Sequence, residues 1–267
     1  LYDAPGFALL LANFRETFLE AVPNRDLSDY VAERIRARVN DPQVAEKLIP
    51  RDHGFGMRRM PMETGYFEAY NRDNVRLVRL LDTPIERITK TGLQTSEESF
   101  DFEVLVYATG FDVMTGAFDK IDIRGANGQQ LKDKWQGSPT SYLGVMVNGF
   151  PNMLMVAGPQ SVSGSTNYPR AIEVCVDWIG AVLAHARTAG LSRLEADVDA
   201  ENTWTPEVID MQEALPFSKV KSWFTGFNAN VQAADAAPRD IAYWGGAPRY
   251  TKILSRVASE GFRDINM

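Results

Sequence analysis

Two guanidinium groups stand side by side at Arg58 and Arg59, between the glycine-rich turn Gly54-Phe55-Gly56 and Pro61. Glycines let a backbone approach a ligand closely, and an arginine fork holds a fixed positive charge suited to a phosphate or an oxyanion. The same pair also reads as two solvated loop charges. Two further segments have the form of binding turns. Tyr107-Ala108-Thr109-Gly110-Phe111-Asp112 follows an apolar run and ends in small residues, and Ala157-Gly158-Pro159-Gln160-Ser161, continuing to Asn167, leads into a helix. In open α/β sheets ligands sit beyond the carboxyl ends of strands, and a helix N-terminus offers unpaired N–H groups. Each turn is equally consistent with a structural or a binding role.

Other catalytic sets are missing from the sequence. His53 and His185 have no partner at metal-ligand spacing, and neither HExxH nor CxxC occurs, so no metal site is expected. The single cysteine, Cys175, falls on or near the apolar side of a helix and reads as a core residue rather than a nucleophile. GxSxG, GxGxxG and GxxxxGK do not appear, which leaves neither an α/β-hydrolase elbow nor a phosphate loop.

The elements that must carry these residues follow from periodicity. Val31, Ile35 and Val39 predict a helix over 30–39, capped by Ser28 or Asp29, and a second helix follows over 42–48. Strands are expected at 75–80, 85–89 and 93–95, the last two as a hairpin through Lys90-Thr91-Gly92. The run 102–107 reads as a strand covered on both faces, and 142–147 and 152–156 as two more. The clearest helix spans 169–189, with Pro169 in its first turn, Gly190 at its end, and Ile172, Val176, Ile179 and Leu183 lining one face. Helices near 205–214 and 248–259 and an aromatic loop over 223–227 complete an α/β chain.

Composition narrows the function classes. In 267 residues, 28 Lys and Arg against 35 Asp and Glu leave a net charge of −7, which argues against a nucleic-acid or anionic-membrane surface. One cysteine fits a reducing, cytoplasmic setting, and no apolar run is long enough to span a membrane. Leu1 in place of an initiator Met, followed by the apolar segment 7–14, is expected of a chain cut from a longer protein, ahead of a processed terminus that would look the same.

Taken in order, the motifs resemble the C-terminal half of the Baeyer–Villiger monooxygenases, class B FAD- and NADPH-dependent flavoproteins, in their cyclic-ketone flavour. The residues that carry the resemblance are Met57-Arg58-Arg59-Met60-Pro61, Glu63-Thr64-Gly65-Tyr66-Phe67-Glu68, Tyr70-Asn71-Arg72-Asp73-Asn74-Val75 and Tyr107 through Asp112. It continues through Ile121-Asp122-Ile123-Arg124-Gly125, Tyr142-Leu143-Gly144, Gly149-Phe150-Pro151-Asn152, Ala157-Gly158-Pro159, Asp177-Trp178 and Ser222-Trp223-Phe224-Thr225-Gly226.

The resemblance implies the return segments of two Rossmann-like dinucleotide-binding domains behind a helical lead-in. Residues 1–51 would be the helical insertion of the NADP domain, 52–108 its second segment, and 109–267 the second segment of the FAD domain. The glycine-rich phosphate loops would lie in an absent N-terminal half, the chain's natural partner. The implied activity inserts one oxygen of O2 beside a ketone carbonyl to give an ester or lactone. Arg59 matches the family's catalytic arginine, and Arg58 a basic position that contacts NADP. Trp223 matches a tryptophan on a mobile loop over NADP. Thr109 and Gly110 fall at the junction of the dinucleotide domains, and Asn167 and Tyr168 where the chain passes the flavin. Residues 228–239 depart from the family's commoner NIPGKPR-like form. Other class B enzymes that oxidise nitrogen or sulfur are the alternative activity. The alternative of another class is a non-catalytic fragment or interaction module. As an isolated chain it is expected to bind FAD and NADPH poorly, to turn nothing over and to self-associate through uncovered apolar edges.

Overall fold

The structure, a computed structural model, describes residues 2, 8–136, 138–162, 166–231, 233, 235–239 and 241–266. Phe7, where the expected apolar lead segment begins, lies outside them, as do 163–165 within the Ala157–Asn167 turn. The chain divides into two compact units, Leu1–Thr109 and Gly110–Met267.

The first unit begins with the short helices α1 (Ala8–Leu11) and α2 (Glu16–Leu19), followed by α3 (Ala21–Arg38) and α4 (Pro42–Leu48). α3 starts well before the expected residue 30, because Pro23 is accommodated in a first turn and the polar residues behind it form a solvated helix without an apolar period. Ser28 is therefore no cap: its hydroxyl donates to the Asn24 carbonyl at 2.7 Å inside the helix. α4 is capped as its sequence demands, with Asp41 Oδ1 accepting from Gln43 N at 2.7 Å and Pro42 in the first turn. Ala32, Ile35, Val39, Ala45 and Ile49 close a small core between α3 and α4.

Arg38, at the end of α3, holds the next segment. Its Nε and Nη2 donate to the two Glu68 oxygens at 2.6 and 2.8 Å, and its Nη1 to Glu63 Oε1 at 2.8 Å. This bidentate fork fixes α5 (Tyr66–Ala69), which starts at left-handed Gly65. The unit ends in an antiparallel sheet, β1 (Ile85–Ile88), β2 (Gly92–Thr95) and β3 (Ser99–Asp101), in the order β1-β2-β3. The register Ile88↔Leu93 is that of the expected hairpin.

Two expected strands do not form. Residues 75–80 join no ladder, and neither do 102–107, whose Val104 and Val106 are 76% and 78% exposed. A strand needs a neighbour for its N–H and C=O groups, and the described chain supplies none beside these runs.

The second unit contains α6 (Gly116–Asp119), α7 (Leu131–Lys134), α8 (Tyr168–Thr188), α9 (Val198–Glu213) and α10 (Ala247–Ser259). β4 (Glu195–Ala196) pairs antiparallel with β5 (Ile265–Asn266). Residues 142–147 and 152–156 are not the expected strands. Tyr142 and Met146 form an isolated bridge around a tight loop, in which Leu143 and Gly144 have φ of +56° and +69°. Gly144 lies so close to the main chain of Ser161 that a Cβ would meet its amide nitrogen at 2.5 Å. The buried side chain of Gln160 ties this crossing: it accepts from Ser141 N and Thr205 Oγ1 at 3.0 and 3.1 Å and donates to the Pro139 carbonyl at 2.8 Å.

Helix α8 forms where expected, with Asn167 capping it and Gly190 left-handed behind it. Its buried face is a different one: Ala171, Cys175, Trp178, Val182 and Ala186 enter the main core with Trp204 and Val208 of α9 and Tyr250, Leu254 and Val257 of α10. Of the expected face, Ile172, Val176 and Leu183 are exposed, and Ile179 is half-buried. The helix is apolar on two adjacent stripes, so period alone selects neither. Small Ala and Cys residues let α10 approach one stripe closely, and nothing in the described chain covers the other. Among the described residues no helix is long and apolar enough to cross a membrane. The architecture is mixed, with helices around small antiparallel sheets.

Candidate functional site

In the first unit the Gly54 turn is packed onto protein. A Cβ on Gly54 would overlap Asn24 Oδ1 at 1.9 Å, and Asn24 Nδ2 donates to the carbonyls of Phe55 and Thr17 at 2.9 and 2.7 Å. That glycine serves the turn's contact with α3, and Met57 is buried behind it. The turn thereby presents Arg58 and Arg59 in two different settings.

Arg58 is half-buried, and its Nη2 pairs with Asp52 Oδ2 at 2.8 Å. The other oxygen of that carboxylate lies 2.7 Å from His53 Nδ1. Burial works to raise the Asp52 pKa, but the His53 hydrogen bond and the Arg58 charge prevail and hold it below the usual carboxylate value. Arg58 Nε is buried and has no hydrogen-bond partner among the described residues. A donor in that state costs about 1–3 kcal/mol until an acceptor reaches it. Arg59, one residue on, is exposed. A cation anchored through one edge with a second edge unsatisfied fits an anionic group of a ligand.

In the second unit Trp223 opens a 3₁₀ turn, Trp223–Thr225. Ser222 Oγ accepts from Phe224 N at 3.2 Å, Thr225 Oγ1 accepts from Ser222 N at 3.1 Å, and Gly226 closes the turn with φ of +64°. Phe224 faces inward against Phe217 and Trp244, with ring centroids at 5.2 and 5.1 Å, whereas Trp223 is 37% exposed. Arg239 reaches this loop from downstream through the Gly226 carbonyl and pairs with Asp112 upstream.

Gly110 is exposed, beside the amide of Asn228. Thr109, the last residue of the first unit, is exposed as well. Asn167 Oδ1 accepts from Arg170 N at 3.4 Å as the cap of α8, and Tyr168, in the first turn, is 41% exposed. Burial of its ring, with Cys175 nearby, pushes the Tyr168 phenol above its ordinary pKa. The described contacts thus bring Gly110 to the Trp223 loop through Asn228, while those of Asn167 and Tyr168 lie within α8.

None of Arg58, Arg59, Thr109, Gly110, Asn167, Tyr168 and Trp223 lines either of two cavities among the described residues. One, of ≈ 510 Å³, is walled by Thr115, Asp119, Lys132, Trp135, Phe227 and Arg239. The other, of ≈ 730 Å³, lies between α9 and α10 beside Trp204, Lys252 and Arg256. Asp52, the partner of Arg58, went unread in the sequence because five intervening residues follow no ligand spacing. Asn228 and Arg239 bound the stretch that departs from the family pattern, and only the geometry shows what they hold.

No family model matches the chain. Curated proteins do. It is 37% identical over 267 residues to the 2-oxo-Delta(3)-4,5,5-trimethylcyclopentenylacetyl-CoA monooxygenase of Pseudomonas putida, covering 100% of this chain and 49% of that protein. It is 33% identical over 261 residues to a Baeyer–Villiger monooxygenase of Pseudooceanicola batsensis, covering 97% of this chain and 46% of the relative. It is 36% identical over 261 residues to phenazine N-monooxygenase PhzNO1 of Lysobacter antibioticus, covering 96% and 47%. Among solved structures, a crystal structure of OTEMO in complex with FAD and NADP superposes with a TM-score of 0.91 at 38% identity, over 100% of this chain and 48% of that one. The chain therefore spans about half the length of the curated relatives it matches. The resemblance read from its ordered motifs is borne out.

Proposed function

We propose that this chain is the C-terminal half of an FAD-dependent, NADPH-consuming Baeyer–Villiger monooxygenase, which inserts one oxygen of O2 beside a ketone carbonyl to give an ester or lactone. The observation that carries the reading is the match of all 267 residues to about half of the Pseudomonas putida monooxygenase, and of 97% of the chain to 46% of a Baeyer–Villiger monooxygenase, with the fold of OTEMO shared at a TM-score of 0.91. Its finer organisation is read as the helical insertion of the NADP domain over 1–51, the second segment of that domain over 52–108, and the second segment of the FAD domain over 109–267, in Rossmann-like form.

The unsatisfied Arg58 Nε and the charge pair behind it support an anionic ligand at the Arg58–Arg59 turn. Arg58 and Trp223 would hold NADP(H): the first as a fork for a phosphate, the second by laying an indole face over the cofactor. Thr109, Gly110, Asn167 and Tyr168 would line the FAD side. When bound, the flavin supplies oxygen activation and NADPH its reducing electrons. Arg59 is the catalytic residue. Its guanidinium keeps its proton at any working pH, so it offers fixed donors to negative charge that develops on oxygen, and it orients the ketone while doing so. The uncovered residues 104–107 and the second stripe of α8 are the surfaces on which the other half of the enzyme would pack. A single cysteine, buried and free, supports a reducing, cytoplasmic place.

The test is Arg59→Ala in the full-length flavoenzyme. Loss of ketone oxygenation with flavin reduction by NADPH retained is expected; unchanged oxygenation removes Arg59 from the chemistry. A wild-type enzyme that oxygenates a heterocyclic nitrogen and no ketone would instead align this chain with its phenazine N-monooxygenase relative.

A further inference from the structure

The Trp223 loop builds its own shape. The reciprocal Ser222–Thr225 contacts and left-handed Gly226 close the turn from within. What they do not set is where the turn sits on the unit. Beside the packing of Phe224 on Phe217 and Trp244, two polar residues from outside it do that.

The side chain of Arg239 is only 20% exposed. Its Nη2 donates to the Gly226 carbonyl at 2.6 Å and reaches Asp112 Oδ1 at 3.3 Å, and its Nη1 donates to Thr115 Oγ1 at 2.8 Å. Its own backbone N–H donates to the Thr225 carbonyl at 2.9 Å. One guanidinium thus spans from the end of the Trp223 turn to the segment 112–115. Asn228 makes a second tie: its Nδ2 donates to the Phe111 carbonyl at 3.0 Å, directly over Gly110. A planar fork serves acceptors in several fixed directions, which an ammonium on a flexible stem does not reproduce.

We propose that Arg239, seconded by Asn228, is a positioning residue that locks the Trp223 loop onto residues 111–115 and so sets where Trp223 meets the nicotinamide cofactor. The inference rests on the proposed role of Trp223 toward NADP(H). Because the loop's capping contacts are internal, removing Arg239 displaces the turn without unmaking it.

The experiment has two arms. In the purified chain, amide hydrogen exchange over 222–228 is compared among wild type, Arg239→Ala, Arg239→Lys and Asn228→Ala, with the core amides of α8 as the internal reference. Loss of the tie is expected to speed exchange over 222–228 about tenfold in Arg239→Ala, less in Arg239→Lys, and leave α8 unchanged. In the full-length flavoenzyme, Arg239→Ala is expected to raise the KM for NADPH about tenfold with kcat changed less than threefold, and to add nothing to Trp223→Ala. Asn228→Ala should move both readouts the same way by a smaller factor, and it carries the test where Arg239→Ala does not fold. Unchanged exchange over 222–228 overturns the tether. Faster exchange with an unmoved KM, where Trp223→Ala does raise it, overturns the positioning role. If Trp223→Ala itself leaves NADPH kinetics alone, the role of Trp223 toward NADP(H) fails, and with it the cofactor half of this inference; the exchange arm still decides the tether.

Discussion

Lys134 Nζ and Glu201 Oε1 meet at 2.7 Å inside the second unit, with side chains 17% and 6% exposed. The carboxylate also accepts from Thr140 Oγ1 at 2.9 Å and from Asn148 N at 2.6 Å, so α7, the 140–148 loop and α9 converge on one buried charge. Removing its cation leaves that charge uncompensated. Lys134→Met is expected to cost about 3 kcal/mol, and the double variant Lys134→Met/Glu201→Gln to recover part of the loss. Denaturant midpoints of the three chains measure this; a single variant as stable as wild type would show the pair to be dispensable.

Acid should loosen the first unit. Arg38, through its hydrogen bonds, holds both Glu63 and Glu68 below the ordinary glutamate pKa. Groups depressed in the folded state contribute stability that is fully present above their unfolded value, about 4.3, and is lost as pH falls through the depressed folded values. The thermal midpoint should therefore fall below about pH 4, and Glu63→Gln/Glu68→Gln should flatten that dependence. A double variant with the acid slope of wild type would place the titration elsewhere.

Arg58 should set cofactor preference. Its pair with Asp52 fixes the guanidinium, and its unpaired Nε awaits an acceptor. Charge-assisted hydrogen bonds contribute about 1.5–3 kcal/mol, so Arg58→Leu in the full-length enzyme should cut the preference for NADPH over NADH by at least about tenfold. Asp52→Asn should move it in the same direction by less. Steady-state kinetics with both nucleotides decide it, and an unaltered ratio would take Arg58 away from the phosphate.

The isolated chain should associate with itself. Ile172, Val176 and Leu183 form an exposed apolar stripe along α8, and a Cβ on Gly180 between them would touch nothing within 4 Å. Such faces are seldom left to water. Sedimentation velocity should find oligomers in the wild-type chain and mostly monomer in Val176→Lys/Leu183→Lys. A wild-type chain that stays monomeric at high concentration would mean that the stripe drives no association.

Much of the helical framework was legible because its signals are local. Asp41-Pro42 starts α4, Pro169 and Gly190 bracket α8, and the turn at Lys90-Thr91-Gly92 sets the hairpin. The failures share a cause as well. Residues 102–107 and the Ile172 stripe are apolar yet have no covering neighbour in the described chain, so composition predicts burial where the structure has exposure. Residues 142–147 were misread for the opposite reason. They are fully buried, yet wound into a loop by positive φ at Leu143 and Gly144, and a strand's apolar run looks the same. At the candidate site, residue type and order were enough to single out Arg58, Arg59 and Trp223. The Asp52–Arg58 pair follows no motif spacing, and the contacts of Arg239 join segments more than a hundred residues apart that no short motif links.

Cys175 gives the second unit a built-in clock. Its thiol is fully buried on the inner stripe of α8, with Sγ 3.7 Å from the Tyr250 hydroxyl. That hydroxyl also donates to the Leu143 carbonyl at 2.5 Å. A thiol reagent therefore reaches the sulfur only in the moments when α8 lifts from α10. With one thiol in the chain, labelling is single-site and needs no mutagenesis to interpret. Its rate counts how often the heart of the unit breathes open, and any molecule that closes over α8 would slow that count.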